Sequence, residues 1–253
     1  MFNAKKEKER IVQWIQDYFA GTNFNAVIGI SGGKDSSIVA ALCVEALGKG
    51  RVIGVLMPKG EQADIADSLQ LVNHLGIKHR IINIGKPVDA YIRAMQEDGQ
   101  ELSKMALVNI PDHIRMAMLY STGASENALV ANTSNLSENY IGYTTKFGTS
   151  KGDFSPLSDY TVTEAKAIGK ELGLPLNLID KTPADGLSGL TDEQNIGFPY
   201  AVLDVYIREG ICEDAEIKAK IDKMHTNSRH KFTMPKCEYN PMAPNLARRE
   251  VGR

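Results

Sequence analysis

A short apolar run, Asn25-Ala-Val-Ile-Gly-Ile30, leads directly into Ser31-Gly-Gly-Lys-Asp-Ser-Ser37, and an apolar helical repeat through Ile38, Leu42 and Leu47 follows. A buried strand, a glycine turn and a helix in immediate succession commit the chain to an α/β unit with the turn at the strand's carboxyl end. Two adjacent glycines let the backbone turn sharply and aim successive N–H groups at an anion. The helix start adds free N–H donors and the positive end of its dipole. Ser31, Ser36 and Ser37 offer hydroxyl donors. Asp35 would repel a phosphate unless a cation lay between them, so the loop points to Mg²⁺. Lys34 either adds a charge there or points to solvent. The spacing is neither GxxxxGK[ST] nor GxGxxG.

The same alternation continues along the chain. A helix is expected over 5–20 and further strands over 51–57, 79–84 and 128–132, with a helix over 62–75 between the first two of these. Pro111 suits a first helical position, so a helix is expected from there through Ile114 and Met118. A short helix bearing Glu138 follows the fourth strand. Thr161-Val-Thr-Glu164 has capping-box spacing, and Gly173 supplies a stop. A fifth, short strand is expected over 176–179, and amphipathic helices over 199–210 and 215–225. Strands alternating with helices imply a doubly wound, mostly parallel five-stranded sheet, whose ligand crevice lies beyond the strands' carboxyl ends. Glu138 and the glycine loop both fall there.

Composition limits the alternatives. With 253 residues, 43% hydrophobic and 24% charged, the chain can bury a substantial core, and no linker divides it into two domains. A net charge of −2 argues against coating nucleic acid or an acidic membrane, and no apolar run approaches a membrane span. Cys43, Cys212 and Cys237 form no zinc or redox spacing, so reduced, cytoplasmic thiols are expected. From Lys218 onward nine Lys/Arg face three Asp/Glu, which leaves −8 on the rest of the chain. That basic tail, 232–253 in particular, is either solvated or reaches an anionic ligand or second subunit.

The loop resembles the SGGxDS signature of the N-type ATP pyrophosphatases, which cleave ATP to AMP and pyrophosphate while adenylating an acceptor. Gly60-Glu-Gln62-Ala-Asp64, the segment Asn109 to Met116, Asn132-Thr133 to Glu138, Gly142 to Gly148, Gly152-Asp153 to Leu157, Lys181-Thr-Pro183, Thr191-Asp192-Glu193 and His230-Lys231 are similar, in order, to blocks of ammonia-dependent NAD synthetase. The resemblance runs from about Ile11 to Lys231 and implies a Rossmann-like fold of the adenine nucleotide alpha hydrolase type, as a single domain. It implies that Asp35 and Glu138 are catalytic Mg²⁺ ligands. It further implies that ATP is held by Gly29, Ile30, Ser31, Gly32, Gly33, Lys34, Asp35, Ser36 and Thr133, with its adenine at Met57 and Gln62. Arg115, His113, Lys146, Asp153, His230 and Lys231 would then bind deamido-NAD, and ammonia would supply the nitrogen.

Four positions depart from the family pattern: His113 stands for a common Arg, Thr149 for an Asp, Val162 for a Lys and Ala184 for a Thr or Ser. The length leaves no room for a glutaminase domain, so free ammonia or a donor protein is expected. The glycine-containing stretch 181–197 reads as a lid or a loose connection. The resemblance alone implies a homodimer. A tRNA-modifying pyrophosphatase would favour CxxC pairs and a basic surface, and a non-catalytic ATP-binding relative would bind without turnover.

Overall fold

The computed structural model describes residues 2–62, 64–181 and 191–233. Helix α1 (Ala4–Tyr18) starts where the Asn3 side chain accepts the Lys6 N–H, and it buries Ile11 and Ile15. Strand β1 (Asn25–Gly29) feeds the glycine loop and α2 (Lys34–Leu47). Then follow β2 (Val52–Leu56), α3 (Ile65–Leu75), β3 (Lys78–Ile81), α4 (Gly85–Glu97), α5 (Lys104–Ser125) and β4 (Ala128–Val130). The remaining helices are α6 (Leu136–Ile141), α7 (Val162–Glu171), α8 (Leu176–Ile179), α9 (Asp192–Ile196), α10 (Tyr200–Glu209) and α11 (Ala215–Ser228).

The sheet is parallel throughout, in the order β3-β2-β1-β4. Successive side chains of a strand face opposite ways, and the core divides accordingly. Ala26, Ile28, Val52 and Leu56 join the layer built by α1, α2 and α7, whereas Val27, Ile53 and Val55 join the layer under α4 and α5. A third cluster, around Ile141, Phe198, Leu203 and Ile221, ties α6 to α10 and α11. Each fully buried Ile or Leu contributes about 1.5–3 kcal/mol, so these layers dominate the fold's stability.

Two expectations change. Among the described residues the sheet has four strands, not five. Residues 176–179 form α8, where the Pro175 carbonyl accepts the Leu178 and Ile179 N–H groups. Leu178 and Ile179 are consecutive and both fully buried, which one turn of helix against α2 allows and a two-faced strand would not. Helix α5 also starts seven residues before Pro111, at a cap where Ser103 Oγ accepts the Ala106 N–H. Pro111 lies buried inside that helix. The central part of the expected lid, including Ala184, and nearly all of the expected tail lie outside the described residues.

Candidate active site

Strand order places the site. The chain runs from β1 outward to β2 and β3, then returns to pair β4 on the other side of β1. The connections leaving β1 and β4 therefore diverge, and the crevice of a parallel sheet opens at that point. The glycine loop leaves β1 there, and the segment carrying Thr133, Asn135 and Glu138 leaves β4.

Gly32 turns with φ +76°, and a Cβ at that position would come within 2.9 Å of Asp67 Cβ and Ser68 N. Gly33 forms the N-cap of α2. The Ser36 and Ser37 hydroxyls donate back to the Gly33 carbonyl at 3.1 and 2.8 Å, and Ser36 Oγ accepts the Ser31 N–H at 3.3 Å. Both serines are buried, so they brace the loop from behind. Above it opens a cleft of about 820 Å³. Gly29, Ile30, Ser31, Met57, Gln62, Thr133 and Arg115, all anticipated from sequence, line it, joined by Lys59, Asp64, Asp112, Met116 and Lys151. Its volume suits an organic ligand of nucleotide size. Arg115 is held by Asp112 (3.0 Å) and by the Met57 carbonyl (3.3 Å).

Asp35 and Glu138 are not among the residues lining that cleft; they converge on the Lys34 ammonium at the start of α2. Asp35 Oδ1 accepts Asn135 Nδ2 at 3.2 Å, and its Oδ2 accepts Lys34 Nζ at 2.8 Å. Glu138 is the third residue of α6 and forms a capping box with Asn135; its Oε1 lies 3.9 Å from Lys34 Nζ. Lys34 therefore turns inward, with its side chain only 3% exposed. Burial draws the ammonium pKa down, but Asp35, Glu138 and Asp192 outweigh it and push it up to about 12. Burial, then repulsion from Asp35, lifts Glu138 to about 8, with Lys34 opposing. The Tyr200 ring lies 5.9 Å from Lys34 Nζ, and its buried hydroxyl makes no hydrogen bond among the described residues.

The remaining expected acceptor contacts are set apart from the cleft wall. His113 Nε2 meets the Lys146 carbonyl at 2.9 Å, and Lys146 Nζ lies over the Phe147 ring. Asp153 Oδ2 accepts the Val130 N–H at 2.7 Å, and Lys231 Nζ donates to the Gly142 and Thr144 carbonyls, both at 2.8 Å. His230 precedes Lys231 in the same 3₁₀ turn. Of the departures, Thr149 lines the cleft and its hydroxyl bonds Thr144 Oγ1 and the Thr145 N–H, while Val162 is buried in the third cluster. Asn135 and Tyr200 were not anticipated as site residues. The Asn-x-x-Glu spacing ahead of α6 carried the signal for Asn135; nothing local marked Tyr200.

The NAD synthase family profile matches residues 7–235. An NH(3)-dependent NAD(+) synthetase of Pyrococcus furiosus is 36% identical over 247 residues, covering 92% of this chain and 94% of its own. The NMN synthetase structure from Francisella tularensis superposes with a TM-score of 0.87 at 30% identity, covering 94% of this chain and 99% of that one. The NH3-dependent NAD synthetase structure from Campylobacter jejuni superposes at 0.77 with 28% identity, covering 94% of this chain and all of that one.

Proposed function

The chain belongs to the NAD synthase family, and from that membership we infer that it makes NAD by ATP-dependent amidation of deamido-NAD with ammonia, releasing AMP and pyrophosphate. The nicotinate carboxylate attacks the α-phosphorus of ATP and displaces pyrophosphate; ammonia then attacks the mixed anhydride. The substrate's carboxylate is the nucleophile, so the protein's work is positioning and charge stabilisation. The observation that carries this reading is the meeting, at one switch point, of the glycine loop after β1 and the Glu138 segment after β4.

In this reading Gly29, Ile30 and Ser31 on the cleft wall face the phosphates, Met57 and Gln62 the adenine, and Thr133 also contacts ATP. Arg115 is the acceptor contact on the wall itself, while His113, Asp153 and Lys231 shape its surroundings through backbone bonds. Asp35 and Glu138 would hold Mg²⁺. Two carboxylate oxygens completed by substrate phosphates are a usual donor set for that ion, so these residues fit it. When bound, the ion supplies charge neutralisation for the departing pyrophosphate. Cytoplasmic residence goes with this reading, and Cys43 and Cys212 are free thiols.

The test is incubation with ATP, Mg²⁺, ammonium and deamido-NAD, in which NAD and AMP should appear one for one. Asp35→Ala and Glu138→Ala should each lower turnover by roughly 100-fold or more while the fold survives thermal unfolding assays. Near-normal turnover in both would remove the metal assignment.

A second reading concerns the acceptor. The Francisella structure that superposes at 0.87 bears the name NMN synthetase, which raises nicotinate mononucleotide as a second acceptor, yielding NMN. Comparing kcat/KM for deamido-NAD and nicotinate mononucleotide on one preparation decides between them.

A further inference from the structure

Lys34 occupies an unusual place for a lysine in a phosphate loop. It does not reach over the cleft. Its ammonium is buried, 2.8 Å from Asp35 and 3.9 Å from Glu138, with the Tyr200 ring 5.9 Å away. The two carboxylates arrive from elements about a hundred residues apart, α2 and α6, and Asn135 links them by capping α6 and donating to Asp35. Unpaired, two carboxylates held this close and this shielded would repel each other strongly. Lys34 is the cation that offsets this in the protein alone. A second observation marks the same chamber as polar and incompletely satisfied: the Tyr200 hydroxyl, on a residue 3% exposed, has no hydrogen-bond partner among the described residues.

We propose that Lys34 is the resident counter-cation of the Asp35–Glu138 pair, and that its ammonium competes with the divalent ion for the same carboxylate oxygens. The inference rests on the reading of Asp35 and Glu138 as metal ligands. Asp35 Oδ2 already accepts Lys34 Nζ at 2.8 Å, so a divalent ion held by this pair would have to share or displace that ammonium. A divalent ion added beside a retained ammonium is disfavoured by their mutual repulsion. The phosphates of ATP reverse the balance, because their negative charge accommodates both cations. Metal loading is thereby tied to nucleotide arrival, and Lys34 acts as a positioning residue that keeps the carboxylates arranged until then.

The experiment uses Mn²⁺ as the probe, with its free and bound forms counted by electron paramagnetic resonance on the full chain. It is run without nucleotide and with a non-hydrolysable α,β-methylene ATP analogue. Without nucleotide, Lys34→Gln should bind Mn²⁺ at least tenfold more tightly than the unaltered protein; with the analogue the gap should fall below threefold. In EDTA, Lys34→Gln should melt several degrees lower, and millimolar Mn²⁺ should restore it. Equal nucleotide-free affinity in the two proteins overturns the proposal while leaving the metal site standing. Failure of both to bind Mn²⁺ even with the analogue overturns the metal site and the proposal together. If Lys34→Gln does not fold, adding Asp35→Asn should recover folding by removing the uncompensated charge; a double variant no more stable than the single also overturns it.

Discussion

At Gly32 the backbone sits in the left-handed region, and the atoms that a Cβ would meet belong to Asp67 and Ser68, one of them a backbone nitrogen. Such a contact cannot be relieved by turning a side chain. Gly32→Ala should therefore cost about 1–3 kcal/mol, lowering the melting temperature by roughly 2–4 °C per kcal/mol, and should abolish AMP formation by displacing the loop amides. A melt combined with the AMP assay checks both. The need for glycine was legible in the sequence, but the neighbours that enforce it were not, because they come from α3. The serines show the same limit. Their hydroxyls read as phosphate donors; only the structure shows those of Ser36 and Ser37 donating to Gly33 O. Lys34 could be read either way until α6 and α9 were placed against it.

At the scale of elements, α6 and α7 make a controlled pair. Both start with a capping box, from Asn135 to Glu138 and from Thr161 to Glu164. Removing either cap should cost about 1 kcal/mol. Only Asn135 also bonds Asp35, at 3.2 Å. We expect Asn135→Ala and Thr161→Ala to melt at similar temperatures, with kcat falling at least tenfold in the first and staying within twofold in the second. Equal kcat in both would show that Asn135 does no more than cap. Capping spacing is local and could be read for both helices; the Asp35 contact spans a hundred residues and could not. The 176–179 segment erred the other way. Its short apolar run reads as a buried strand, and packing against α2 makes it one turn of helix instead.

For the whole molecule, strand order matters most, since β3-β2-β1-β4 makes the ends of β1 and β4 the crevice. No helix among the described residues is long and apolar enough to cross a membrane. The homodimer implied by resemblance remains a proposal. What supports it is apolar surface on the outer helices, where Tyr91 of α4 and Met105 and Tyr120 of α5 are 47%, 67% and 42% exposed. Large apolar side chains left exposed on surface helices are candidates for burial at an interface. Sedimentation should give about twice the 27.7 kDa chain mass, and Met105→Glu with Tyr120→Glu should halve it. Sedimentation of the unaltered protein as a single chain would count against the dimer.

The amino-acid sequence by itself determined the alternation of strands and helices, the glycine loop at the end of the first strand, the helix caps and, through ordered motifs, the family. These properties reside in a few neighbouring residues, whose backbone preferences and side-chain periods act locally. Tertiary structure alone decided that the sheet has four strands among the described residues, that Asp35 and Glu138 are not on the cleft wall, and that Lys34 points to both of them. Those outcomes depend on which apolar faces meet once the chain closes over long separations. A side chain's direction at such a junction is set by the charges brought to it from elsewhere.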